Sequence, residues 1–245
     1  MAAQRRLFAT ALPELGGSVL LDAEAAHHAR VLRLAEGDAV VLFDGRGREC
    51  AARILELGDE RARCEAEPSH AAQAAARRVV LIQCLPKGDK LESIVRMTTE
   101  LGVAVIALAH GARSVARPDP KRAAAQLERL SRIAQEAARQ SEQATVPVID
   151  APAALDEVAL RAPAAALKIA LVPGAAIALT EVLRCADDAT EVWLVVGPEG
   201  GLDDAERATL SARGYTHAAL GTSTLRVETA APVAVALVAI GQRGA

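Results

Sequence analysis

Two short segments near the C-terminus carry the residue types best suited to chemistry. They are Val196-Gly197-Pro198-Glu199-Gly200-Gly201-Leu202 and Leu220-Gly221-Thr222-Ser223-Thr224-Leu225-Arg226-Val227-Glu228-Thr229-Ala230. Each follows an apolar run and precedes a helical pattern. Glycine loops at the carboxyl ends of neighbouring strands let a cofactor lie against bare backbone. A single loop of this kind also serves as a plain strand-to-helix connection, and Arg226 with Glu228 also reads as a surface ion pair at a helix start. The presence of a second loop favours a ligand site. Other chemistries find less support. Cys50, Cys64, Cys84 and Cys185 are scattered, with no pair at zinc-knuckle or dithiol spacing. His27 and His28 are adjacent, so on a helix they face different directions, and no carboxylate or cysteine is spaced to complete a metal site with them. No metal is expected.

The elements that must position these loops follow from periodicity. Residues 1–70 alternate apolar and polar positions in short runs, Ser18–Leu21, Ala39–Phe43, Ala51–Leu55 and Arg61–Glu65. Gly16-Gly17, Gly37-Asp38, Asp44-Gly45 and Gly58-Asp59 separate them as turns, which predicts a small β barrel or sandwich. A helix over Ala23–Leu34 interrupts it, opened by Asp22 as N-cap, with Ala26, Ala29 and Leu32 on one face. Residues 71–78 lack a strand period and read as a linker. From Val79 to the end strands alternate with helices. Strands are expected at Val79–Leu85, Val103–Ala109, Leu167–Val172, Glu191–Val196 and Thr216–Leu220. Helices are expected at Asp89–Leu101, Pro120–Gln140, Ala176–Cys185, Asp204–Arg213 and Glu228–Ile240. Such alternation predicts an α/β domain, 79–245, with a mostly parallel sheet covered on both faces. Leu91, Ile94, Val95 and Thr98 share one helical face, as do Leu127, Leu130, Ala134 and Ala137. Asp203 with Glu206 forms a capping-box-like start, and Pro232 fits only near the beginning of the last helix.

Composition limits the partners. The net charge of -3 argues against a protein that coats nucleic acid generally, so any RNA site must be local. Phe8, Phe43, Trp193 and Tyr215 are the only aromatics, too few for a broad stacking platform. Recognition of RNA would lean on arginine forks and shape. Arg5, Arg6, Arg30, Arg33, Arg46 and Arg48 form either such a face or an ordinary solvated surface. No apolar stretch reaches spanning length, and Met1–Thr10 has no apolar signal segment behind Arg5 and Arg6. A cytoplasmic, membrane-free protein is expected.

In order along the chain stand Leu85-Pro86-Lys87-Gly88-Asp89-Lys90, Thr99-Glu100-Leu101-Gly102-Val103, Arg113-Ser114, Gln140-Ser141, Val146-Pro147, the Gly-Pro-Glu-Gly-Gly loop and Leu225-Arg226-Val227-Glu228-Thr229-Ala230. This succession, covering nearly the whole chain, resembles the RsmE family. Leu32-Arg33-Leu34, Gly37-Asp38 and Leu42-Phe43-Asp44-Gly45 are similar to that family's PUA-like RNA-binding domain. The resemblance implies a SPOUT-class methyltransferase domain with a trefoil knot, preceded by a small PUA-like β-barrel domain over 1–70. It also implies a homodimer with cofactor sites near its interface. The implied reaction is transfer of a methyl group from S-adenosyl-L-methionine to N3 of one uridine in 16S rRNA of the small ribosomal subunit.

On that footing the chain must chiefly hold an electrophilic methyl in line with N3 and assist loss of the N3 proton. Val196, Gly197, Pro198, Glu199, Gly200 and Gly201 would bring backbone groups to the cofactor, the resemblance places Gly221 and Leu225, with Leu220, on the same wall, and Val172-Pro173 would supply a third. Arg226 would stabilise charge developing on a uracil carbonyl oxygen, and Glu228 or Glu199 would accept the proton. Arg5, Arg6, Arg30, Arg33, Lys87, Lys90, Arg113 and Arg139 are the candidate RNA contacts. Lys87, Lys90 and Glu100 also read as solvated helix charges. The chain departs from the family where a basic residue is usual, at Met97, Gln143 and Thr222-Ser223, each lacking a positive charge. Arg139, one helical turn before Gln143, is placed to compensate. Besides uridine N3 methylation two readings stand: an RNA-binding ribosome-assembly factor of this fold with weak or no catalysis, and a SPOUT methyltransferase with another RNA target.

Overall fold

The computed structural model describes residues 5–72, 77–114, 120–186 and 188–240, the side chains of 120–122 and 240 excepted. They form two compact units, Met1–Ala74 with Gln135–Val146, and Ala75–Ala134 with Pro147–Ala245. Residues Gln135–Val146 thus group with the first unit although they lie far along the chain, an association that a linear division at 70 and 79 does not contain.

The first unit is a six-stranded sheet of β1 (Arg6–Phe8), β2 (Gly17–Leu21), β3 (Ala39–Phe43), β4 (Arg48–Leu57), β5 (Ala62–Ala66) and β6 (His70–Ala71). Its order is β1-β3-β4-β5-β2, with β6 against β4. All pairs are antiparallel except β1 with β3. Alternate residues of the strands, among them Val19, Leu21, Val40, Leu42, Ala52, Ile54, Ala62 and Cys64, fill one core with Ala25, Ala26 and Ala29 of helix α1 (Ala23–Val31). The Asp22 side chain caps α1 by accepting the Ala25 N–H at 2.9 Å. The helix is three residues shorter than its apolar spacing suggests. Arg33 takes φ +55°, and the Leu34 N–H donates to the Ala29 carbonyl at 2.9 Å, closing the helix with a left-handed residue that is not glycine. Leu32 therefore leaves the buried face and is 37% exposed. His70–Ala71 and Arg78 belong to strands, so of the expected linker 71–78 only Ala72 and Arg77 are described outside strands, and 73–76 lie outside the described residues.

In the second unit six parallel strands run in the order β12-β10-β11-β7-β8-β9. They are β7 (Arg78–Cys84), β8 (Val105–His110), β9 (Val148–Ala154), β10 (Leu167–Leu171), β11 (Glu191–Val196) and β12 (Thr216–Ala218). Helices α2 (Lys90–Glu100), α3 (Pro120–Gln140), α4 (Leu155–Ala159), α5 (Leu179–Cys185), α6 (Asp204–Ala212) and α7 (Val227–Ile240) alternate with them. Both faces are covered. Val80, Ile82 and Cys84 pack with Val158, Leu210 and Tyr215 on one face. The alternate residues Val79, Leu81 and Gln83 are buried on the other, where α7 packs on β7 and β11 and α2 packs on α7. This double burial explains why these strands read as unbroken apolar runs.

Two differences from the sequence reading have clear causes. Strand β9 and helix α4 escape periodicity because Pro147 and Pro152 interrupt the apolar run. An edge strand tolerates proline, and β9 is an edge, with its register shifting between Ala107 and Ala109 of β8. Pro232 is the sixth residue of α7, past the first turn. Its missing N–H leaves the Glu228 carbonyl without the usual i+4 donor, so the residue is not the harmless starter expected.

Replacing Arg33 with glycine removes a left-handed penalty of about 1–2 kcal/mol and adds a glycine entropy cost of about 0.5–1 kcal/mol. Arg33→Gly is expected to raise the melting temperature by roughly 1–4 °C, read by circular dichroism. An unchanged or lower value would show that the Arg33 side chain makes a compensating contact.

Candidate active site

The strand order builds the site. Because β12, β10 and β11 are adjacent and parallel, their carboxyl ends open on one side, and the loops that follow them cluster. Register is tight: Leu171 of β10 pairs with Val196 of β11 and with Ala218 of β12. Backbone bonds lace the loops, with the Val172 N–H donating to the Ala218 carbonyl at 3.0 Å and the Leu179 N–H to the Ala219 carbonyl at 2.8 Å.

Between these loops lies a cavity of about 370 Å³. Its walls are Leu171, Val172 and Pro173 after β10, Val196, Gly197, Pro198, Glu199 and Gly201 after β11, and Leu220, Gly221, Ser223, Thr224, Leu225 and Arg226 after β12. Lys90, Val227 and Ala230 complete it. Every expected wall residue except Gly200 borders this cavity. Gly200 turns the other way: a Cβ there would meet Cδ of Arg113 at 3.0 Å, and the Arg113 guanidinium donates to the Gly200 carbonyl. Sequence reasoning passed over Leu171, Ser223, Thr224, Val227 and Ala230, and it placed Lys90 with the RNA contacts rather than in this wall.

The glycines have definite duties. A Cβ on Gly197 would lie 3.0 Å from the Gly201 carbonyl carbon and the Leu202 nitrogen, so the loop closes on itself only without one. Gly201 takes φ +69°, and its N–H donates to the Pro198 carbonyl at 2.8 Å to close the turn. Gly221 has open space where a Cβ would project. These bare walls fit a flat, extended ligand.

Three charged side chains, Lys90, Glu199 and Arg226, border the cavity, and Glu228 stands close to two of them. Glu199 Oε1 accepts the Lys87 N–H at 3.0 Å and Lys90 Nζ at 2.6 Å, and its Oε2 accepts the same N–H at 3.2 Å. Burial pushes the Glu199 carboxyl up, but the Lys90 ammonium and the backbone N–H groups of Glu199 and Lys87 outweigh it and hold the group below the usual carboxylate range. Reciprocally, the hydrogen bond to Glu199 raises the Lys90 ammonium. Lys90 Nζ also stands 3.9 Å from Glu228 Oε2, and Arg226 Nη1 stands 4.0 Å from Glu228 Oε1. Glu228 lies in the first turn of α7, where the helix dipole favours a negative charge. Its Oε2 is buried and accepts no hydrogen bond. The Arg226 side chain is 86% exposed and free to reach a bound group.

A second tie holds the same loops. Asp203 and Glu206 form the expected capping box at α6, and Glu206 Oε1 accepts the Ala112 N–H at 2.7 Å. Arg113 and Glu206 thus join the turn after β8 to the segment after β11.

The remaining candidates separate into free and committed cations. Arg6 is 4% exposed, paired with Glu49 at 2.8 Å and stacked 5.1 Å from the Phe43 ring centroid, so it supports the core and cannot face RNA. Arg5 pairs with Asp38, and Arg30 with Asp59, at the surface. Arg33 and Lys87 are exposed. Burial lowers Arg139 below the usual guanidinium range against the pull of Glu136 and Glu24. Gln143 does not share a helical row with it, because the chain turns at Glu142, φ +61°. His28 is lowered by burial and by Arg139, so it is neutral at pH 7. Three of the four thiols are poor nucleophiles, since Cys50, Cys64 and Cys84 are buried, with Cys64 pushed up to about 11; Cys185 is exposed but lies outside the cavity's walls. Among the described residues no group of His, Cys, Asp and Glu is arranged to hold a metal, and no helix is long and apolar enough to cross a membrane.

Known proteins share this arrangement. Residues 73–239 match the RNA methyltransferase domain and residues 21–67 the RNA methyltransferase PUA domain. Ribosomal RNA small subunit methyltransferase E of Mycobacterium bovis is 31% identical over 94% of this chain and 88% of that protein. The Bacillus subtilis protein of the same name is 30% identical over 84% of each. The crystal structure of ribosomal RNA small subunit methyltransferase E from Neisseria gonorrhoeae bound to S-adenosyl methionine superposes with a TM-score of 0.87, at 27% identity over 96% of both chains. The PUA-like first unit and the SPOUT-type second unit thus meet in one chain with matches along almost its full length, and it belongs to the ribosomal RNA small subunit methyltransferase E family.

Proposed function

We propose that this protein transfers a methyl group from S-adenosyl-L-methionine to N3 of a uridine in the 16S rRNA of the small ribosomal subunit. The observation that carries the reading is the pairing of Arg226 and Glu228 at the start of α7 beside a glycine-walled cavity at the carboxyl ends of β10, β11 and β12. The cavity fits the cofactor, since Gly221 leaves space along its wall and Gly197 and Gly201 shape a closed backbone turn. When bound there, S-adenosyl-L-methionine supplies the methyl group. Val172, Pro173, Val196, Leu220 and Leu225 would hold its apolar parts and exclude water, and Gly197 to Gly201 would present backbone groups to its polar ones.

The chain's own contribution is positioning and charge. Arg226, exposed at the cavity's rim, stabilises negative charge on a uracil carbonyl oxygen. Glu228 or Glu199 accepts the N3 proton. Lys87, whose ammonium is exposed beside the site, and Arg5, Arg30 and Arg33 of the first unit engage phosphates; Arg6 does not belong to this set. A trefoil knot in the second unit and a cytoplasmic location accompany this reading.

The active form is proposed to be a homodimer. Helix α7 carries no charge between Glu228 and Ile240, and a helix apolar all round is normally covered on every side. Yet Val233 is 37% exposed, and Leu237 beyond it is partly exposed. Ala230, Val233 and Leu237 share one face at i, i+3 and i+7, and Ala230 borders the cavity. A second copy covering this face would lie against the cofactor site.

Transfer of labelled methyl to unmodified small subunits, followed by nucleoside mass spectrometry, should yield N3-methyluridine. Arg226→Ala and Glu228→Ala should each slow it by about 100-fold or more. Full rate in both variants would remove their roles. A different nucleoside would redirect the target, and cofactor binding without product would favour the assembly-factor reading. Val233→Arg should halve the mass measured by light scattering; a parent protein already monomeric would overturn the dimer.

A further inference from the structure

We infer that Lys90 is a positioning residue: it fixes Glu199 as a brace of the cofactor loop and thereby leaves Glu228 as the carboxylate that takes the proton. The inference rests on the N3 methyl transfer proposed above. The two acidic groups that share Lys90 are not equivalent. Both oxygens of Glu199 already accept hydrogen bonds, Oε1 from Lys90 Nζ at 2.6 Å and from the Lys87 N–H, Oε2 from that same N–H. These bonds tie the loop after β11 to the segment between β7 and α2. A proton added to Glu199 would cancel the charge that holds this tie and leave the ammonium facing a neutral acid.

Glu228 has the opposite state. Its Oε2 is buried without a hydrogen-bond donor, and its nearest cations stand off at 3.9 Å and 4.0 Å. Its acceptor capacity is thus unspent, and the side chain as a whole is 24% exposed beside Arg226 and Lys90, which border the cavity. One ammonium thus serves two carboxylates differently: contact at 2.6 Å occupies Glu199, while at 3.9 Å it makes no hydrogen bond to Glu228. In the reaction the N3–H bond breaks and its proton passes to Glu228. The nitrogen uses its electron pair to form the N–CH₃ bond as the S–CH₃ bond breaks, that pair remaining on sulfur and giving the neutral thioether. No further reactant is needed.

The test uses the full-length protein, single-turnover methylation of small subunits across pH, and S-adenosylmethionine affinity by calorimetry. Lys90→Met removes a cation about 4 Å from Glu228, so the acid limb of the rate profile should move upward, and cofactor affinity should fall roughly tenfold through the loosened loop. Lys90→Arg should return both toward the parent values. Glu199→Gln should weaken cofactor binding but leave the acid limb where it was, whereas Glu228→Gln should abolish the limb and lower the rate by about 100-fold. An acid limb unmoved in Lys90→Met, or one lost in Glu199→Gln and kept in Glu228→Gln, overturns the inference. If the parent protein binds S-adenosylmethionine yet forms no N3-methyluridine, the proposed reaction itself falls and so does proton transfer to Glu228. The bracing role of Lys90 is then decided by affinity alone: loss in Lys90→Met with recovery in Lys90→Arg upholds it, and equal affinities overturn it.

Discussion

The insertion of β11 between β10 and β7 is the constraint on which the site depends. Val196 pairs on one side with Leu171 and on the other with Gln83, so the backbone ladder fixes where three strands end. Because the strands are parallel, each must be followed by a return segment on the same side, and the loops cannot avoid one another. Apolar residues on both faces of the sheet hold the ladder. The ends of the strands are where that packing stops, and there glycine rather than bulk is required. The cavity is thus a consequence of topology, with side-chain chemistry added at its rim.

That rim is governed by an imbalance of charge. Two carboxylates, Glu199 and Glu228, share Lys90, and Arg226 leans on Glu228 from solvent. Exposed pairs of this kind stabilise the fold little. Their importance lies in orientation: Glu199 reaches backward to the Lys87 N–H and joins two loops, while Arg113 and Glu206 join the same region to the turn after β8. Residues that read as RNA-facing cations from their charge alone are in part struts for a neighbouring loop. Lys90 and Arg113 belong to this class, and Arg6 to the core.

Much of this was legible in the sequence, for identifiable reasons. The strands of the second unit announced themselves because double burial leaves few polar residues in them, and the glycine loops because tight backbone turns demand that residue. Asp22 and the Asp203 and Glu206 pair were readable as caps, since their side chains act on backbone within three residues. What depended on distant partners was not readable. Arg6 looked like Arg5 until Glu49 and Phe43, more than thirty residues away, enclosed it. Helix α1 ended early because of a left-handed arginine that no propensity signals, and β9 hid behind Pro152 because only its place at the sheet edge makes that proline tolerable.

Helix α7 brings these threads together. Its first turn holds Glu228 near the positive end of the backbone dipole and beside the cavity, its body packs on β7, β11 and α2, and its remaining face is apolar and uncovered. Pro232 follows the first turn, removing the donor that would have bound the Glu228 carbonyl. The first turn is therefore tied less firmly to the helix below it than a regular helix would allow, while packing on the sheet keeps the body rigid. A helix without proline would have bound that carbonyl and tied the turn carrying Glu228 to the helix below it.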